Sequence, residues 1–141
     1  MTSTLWTICA AINVGIAVLH IIIILIGERA YRYFGAGEWM ATQDGAGSWI
    51  PALVTSAVTA VFFVFAAYNL AGAGRLVLPL TMWALLGITA IYLLRGSVVF
   101  AVPFMSTQVS AFDLYSSFAS LAIGVVHAAA FYTTYIAGRT A

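Results

Sequence analysis

Four long apolar runs dominate the chain, at about residues 5 to 27, 50 to 71, 77 to 102 and 112 to 136, and polar residues crowd into the joints between them. A helix needs about 20 apolar residues to cross a hydrocarbon core of about 30 Å, so each run is long enough to cross once. The pattern predicts an all-α, polytopic membrane protein. One domain over residues 1–141 forms an antiparallel four-transmembrane-helix bundle, with an interfacial segment between helices one and two.

The joints supply the boundaries. Ser48 is placed to cap the helix that starts near Ile50, and Pro51 fits its first turn. Gly72-Ala73-Gly74 reads as a turn so short that helices two and three must be antiparallel neighbours. Pro79 then falls in the first turn of helix three, and Pro103 closes that helix. The one long connection, ERAYRYFGAGEWMATQDGAGSW, holds five of the nine charged residues together with Tyr31, Tyr33, Phe34, Trp39 and Trp49. Charges mixed with amphipathic rings suit the headgroup region, and some helix is expected there.

Composition reinforces this class. The chain is 64% hydrophobic and 6% charged, with mean hydropathy +1.08, a balance that a soluble domain could carry only by exposing large apolar patches. The absence of lysine excludes Schiff-base chemistry and leaves no polybasic patch, so nucleic acid is not an expected partner. Cys9, the single cysteine, reads as a small buried hydrophobe. The N-terminus lacks the positive region of a secretory signal, so the first run is expected to stay as an uncleaved transmembrane helix. Arginines split evenly between the two sides. Only the acidic residues, a minor contributor to the positive-inside rule, favour both termini in the cytoplasm.

Four alternating spans place Glu28, Arg29, Arg32, Glu38, Asp44, Arg95 and Asp113 on one side of the bilayer. Arg95 is the anomaly, because it lies about seven residues, or roughly 10 Å, inside a helix that runs to Val102. An unpaired arginine near the midplane costs about 2.5 to 3.5 kcal/mol on insertion scales. Asp113, Glu28 or carbonyls near Gly96 can offset this. The alternative is a helix that ends at Leu94 and leaves Arg95 as a terminal cation at the interface.

Histidines on two helices raise the question of b-type haem. His20 lies roughly 12 Å from the charged side and His127 roughly 21 Å, a mismatch of about 9 Å for two axial ligands, which makes haem b the lesser alternative and no cofactor the expectation. Two groups, His20 and Glu28, make no metal constellation, so no metal site is expected. Asn13 falls near His127 in depth and is its expected hydrogen-bond partner. On helix four, Ser116, Ser120, Gly124 and Ala128 recur every four residues as a small-residue ridge for close helix packing, within the bundle or between copies of the chain. Thr55 and Thr59 of helix two are candidates for a packed surface.

The segments GSWIPALVT (Gly47 to Thr55), GAGRLVLPL (Gly72 to Leu80), IYLLRG (Ile91 to Gly96) and FDLYSS (Phe112 to Ser117) resemble those of small bacterial four-helix integral membrane proteins of uncharacterised function. The resemblance implies a bacterial inner (cytoplasmic) membrane and a recurring Arg95-Gly96 pair, and it carries no reaction. The chain shows no nucleophile–base pair, metal cluster or nucleotide loop, so a non-enzymatic module is favoured: a bundle that binds a hydrophobic small molecule or lipid, or an accessory subunit of a membrane complex. The competing reading is an enzyme or proton-coupled transporter, with a polar ligand site of Arg95, His20, Glu28 and Asp113.

Overall fold

The computed structural model describes residues 2–102 and 110–137, so Pro103 and Arg139 lie outside the described residues. Six α-helices follow in order: α1 (Thr2–Ile26), α2 (Glu28–Tyr33), α3 (Glu38–Gly45), α4 (Ile50–Gly72), α5 (Thr81–Ala101) and α6 (Ala111–Phe131). The last of these widens into a π-helical turn over Tyr132–Ile136. Four segments, Thr2–Ile26, Ile50–Gly72, Thr81–Ala101 and Ala111–Ile136, are long and apolar enough to cross a membrane. No strand occurs among the described residues.

The boundaries correct the sequence reading in two places. Helix α5 begins at Thr81, so Pro79 precedes the helix and does not sit in its first turn. Proline disfavours the helical conformation at the residue before it, and Leu80 takes a left-handed φ of 55°, which breaks the chain direction. The link between α4 and α5 therefore occupies residues 73–80, longer than the Gly72-Ala73-Gly74 turn alone. At its other end α5 continues past Arg95 to Ala101, which overturns the alternative in which the helix stops at Leu94. Arg95 stands six residues, about 9 Å, inside that end. The start of α4 is as expected: the Ser48 hydroxyl accepts from the Ile50 amide at 3.3 Å, and Pro51 is buried in the first turn.

The chain forms two compact units, Met1–Ile12 with Phe65–Ala141, and Asn13–Val64. In the first, a Cβ on Gly72 would meet Leu85 at 2.9 Å, and the ring of Phe65 lies 6.5 Å from that of Tyr92, so the end of α4 runs antiparallel to the start of α5. Trp6 of α1 is fully buried there, and its Nε1 donates to the Thr134 hydroxyl at 2.9 Å.

Helices α5 and α6 are the closest pair. A Cβ on Gly96 would come within 2.5 Å of the Leu121 Cα and amide nitrogen, and one on Gly124 within 3.0 Å of the Leu93 nitrogen. Higher positions on α5 meet lower positions on α6, so the two are antiparallel, and glycine at each crossing lets backbone approach backbone. Ser110 caps α6 by accepting from the Asp113 amide at 3.0 Å and donating to the Asp113 carboxylate at 2.7 Å.

In the second unit, α2 and α3 close against each other. Gly27, at φ 76°, turns the chain out of α1. Ile23, Ala30, Tyr31 and Ala41 are buried together, with Phe34 and Met40 packed against them. On the outer face Arg32 bridges to Glu28 at 3.0 Å and grips Glu38 with two hydrogen bonds, at 2.7 and 3.0 Å. The rings of Tyr33, Trp39 and Trp49 are exposed.

Candidate functional site

A cavity of about 240 Å³ lies in the second unit, walled by His20 and Ile23 of α1, by Tyr31, Phe34, Ala36 and Met40 of the α2–α3 segment, and by Val54, Thr55 and Val58 of α4. Its lining is largely apolar, as expected of a small-molecule site, with a few polar groups that can fix orientation. One of them is incomplete: the Tyr31 hydroxyl is buried without a hydrogen-bond partner among the described residues, in a residue that is 0% exposed. Leaving such a group unpaired costs about 1–3 kcal/mol.

His20 lies on the α1 wall. Its Nδ1 lies 2.8 Å from the Ile16 carbonyl, one helical turn back. A carbonyl can only accept, so Nδ1 carries the proton and Nε2 is left with a lone pair in the neutral ring. The ring lies 5.2 Å from Phe62 at a tilt of 36°. Thr55, itself buried, adds a hydroxyl to the α4 wall, while its carbonyl accepts from Thr59 at 2.8 Å. Both threonines are buried, as expected of a packed surface.

The remaining candidate residues fall as follows. Glu28 is engaged by Arg32 on the outer face of α2. In the other unit Arg95 donates to the hydroxyls of Ser117 and, at 2.9 Å, Ser116, with Asp113 3.9 Å away. Both serines in turn donate to the Asp113 carbonyl, so Arg95 docks on the first turn of α6. The Arg95 side chain remains 42% exposed, which gives it an outlet as well as partners. Gly124 meets Leu93, whereas Ser120 and Ala128 are half-buried on the same helix. Ser117, outside the four-residue ridge, is the buried hydroxyl that holds Arg95.

His127 repeats the local geometry of His20 with a different outcome. Its Nδ1 lies 2.9 Å from the Ile123 carbonyl, and its Nε2 receives the Asn69 amide at 3.3 Å. The partner is thus Asn69 of α4, where depth had pointed to Asn13. Tyr92 and Trp6 flank the ring at 5.1 and 6.1 Å. With both nitrogens engaged, His127 would have to surrender Asn69 before ligating a haem iron. Among the described residues, no group of three His, Cys, Asp or Glu side chains could hold a metal ion.

Outside the membrane-spanning helices, one charge cluster is tuned. The two hydrogen bonds from Arg32 hold the Glu38 carboxyl below the usual carboxylate range, and Glu38 and Glu28 raise Arg32 further. Sequence reasoning missed Tyr31 and Asn69. An asparagine within an apolar run is itself a signal, but nothing in ERAYRYF distinguishes Tyr31 from Tyr33. No family model, characterised protein or solved structure matches the chain.

Proposed function

We propose that the protein is a small, non-enzymatic integral membrane protein of the bacterial cytoplasmic membrane, an antiparallel bundle that binds a hydrophobic small molecule or lipid. The observation that carries this reading is the apolar cavity of about 240 Å³ bounded by His20 and Tyr31. In this reading α2 and α3 lie at the membrane interface and cover the cavity, with Tyr33, Trp39 and Trp49 as anchors among the headgroups. Arg95 and Asp113 hold α6 to α5, and the ridge on α6 serves packing.

The test is mass spectrometry of species that co-purify with the protein from native membrane, against a variant whose cavity is filled by Val58→Trp. A bound apolar species in the parent that is lost in V58W supports the reading. An identical set of species in both proteins, or none in either, overturns it.

A further inference from the structure

The contacts that dock Arg95 on α6 use only part of its capacity. A guanidinium carries five N–H donors, and the hydroxyls of Ser117 and Ser116 accept from two of them. The other three have no hydrogen-bond partner among the described residues. Asp113 Oδ1 stands 3.9 Å from Nη2, beyond the roughly 2.7–3.2 Å of a hydrogen bond, so the carboxylate attracts the cation without closing on it. Asp113 is also part-used: of about four acceptor sites on a carboxylate, the Ser110 hydroxyl fills one, at 2.7 Å. Both side chains are open, Arg95 at 42% and Asp113 at 47%.

The guanidinium docks within the first two turns of α6, about 10 Å or less from the start of that helix. The charge pair therefore lies toward one end of two segments long and apolar enough to cross a membrane. Leu94 and Phe118, next in sequence to Arg95 and Ser117, are exposed and apolar, which suits contact with acyl chains. Lipid tails can neither accept from Arg95 nor donate to Asp113. A lipid headgroup can do both.

We propose that Arg95 and Asp113 form a site for a phospholipid headgroup that carries both a phosphate and a primary ammonium, as phosphatidylethanolamine does. The phosphate accepts from the free N–H groups of Arg95, and the ammonium donates to the Asp113 carboxylate. A guanidinium and a phosphate match in geometry through paired N–H···O bonds. Phosphatidylglycerol offers the phosphate but no cation, and the Asp113 charge repels it. Phosphatidylcholine has a cation without N–H groups, so Asp113 gains no hydrogen bond from it. The site belongs to the unit of Met1–Ile12 and Phe65–Ala141, and none of its residues lines the cavity beside His20.

The experiment is native mass spectrometry of the full chain in a mild detergent, titrated with the dioleoyl forms of phosphatidylethanolamine, phosphatidylcholine and phosphatidylglycerol. The parent should bind phosphatidylethanolamine about fivefold more tightly than the other two, the scale of one half-exposed charged hydrogen bond. Asp113→Asn keeps an oxygen for the Ser110 hydroxyl and should abolish that preference. Arg95→Gln should weaken binding of all three lipids, with circular dichroism reporting the fold of each variant. Val58→Trp, which fills the cavity, should keep the parent's preference.

Equal binding of the three lipids by the parent overturns the proposal without recourse to any variant. So does a preference that survives in Asp113→Asn, or one that is lost in Val58→Trp, since the headgroup would then sit elsewhere. Displacement of the bound lipid by soluble phosphoethanolamine, as effective as by the lipid itself, overturns the assignment to a lipid.

Discussion

His20 and His127 begin from the same local arrangement and end in different chemistry. Each sits within an apolar helix and donates from Nδ1 to the carbonyl four residues earlier, Ile16 or Ile123, which fixes the same tautomer in both. At His127 the exposed lone pair is answered by Asn69, and the ring is enclosed by Tyr92 and Trp6. His20 instead lines a cavity whose wall also includes Tyr31. A polar group paired within the core contributes to stability, whereas one on a cavity wall leaves its neighbours less tightly packed.

The sharpest test of the closed region is steric. Gly96→Val should cost about 1–3 kcal/mol or more, since the added carbons collide with the Leu121 backbone, which cannot move as a side-chain tip could. Thermal unfolding in detergent reads this loss. A melting temperature equal to the parent's would show that α5 and α6 do not approach as closely as described.

Next in size is Asn69→Leu, which strips His127 Nε2 of its donor in a buried site and should cost about 1–3 kcal/mol. The matched change His20→Phe should cost less than half as much by the same measurement, because no protein partner is orphaned. Equal losses would erase the contrast between the two histidines.

Tyr31→Phe probes the open region directly. Removing a buried hydroxyl without a partner among the described residues should leave the ligand-free protein as stable or raise its stability by up to about 1 kcal/mol. A clear destabilisation of the ligand-free protein would mean that the hydroxyl has a structural partner.

The smallest effect is electrostatic. Folding lowers the Glu38 pKa, so its pairing with Arg32 contributes fully above the usual value near 4.5 and is lost as pH falls through the depressed value in the folded state. Arg32 stays protonated throughout and adds no pH dependence of its own in this range. Both groups are exposed, so the change is local: protection factors of α2 and α3 amides, taken against the intrinsic rate at each pH, should fall below about pH 4.5 while those of α5 and α6 are unaffected. Protection factors in α2 and α3 that are constant down to pH 2 would refute the clamp.

The four spans were legible because twenty-residue apolar runs in a 141-residue chain admit few alternatives. Arg95 was readable as a residue in need of partners, and Asp113 among them, since topology brings the end of one helix beside the start of the next. The choice of Ser117 over the neighbouring ridge positions was not readable, because it depends on how α6 is rotated against α5. The same holds for Tyr31: helix α2 is six residues long and only its packing against Ile23 and Ala41 decides which of two nearby tyrosines is buried.

Sequence alone sets the membrane class, the helical spans and the cost of a charge within them, because these follow from composition and from the length of each apolar run. Which histidine is paired and which lies beside a cavity depends on Asn69, 58 residues away, for His127 and on the fold of α2 over α1 for His20. Those relations arise from helix rotation and approach, quantities that a hydropathy pattern does not encode. They turn one histidine into part of the core and leave the other on the wall of a cavity.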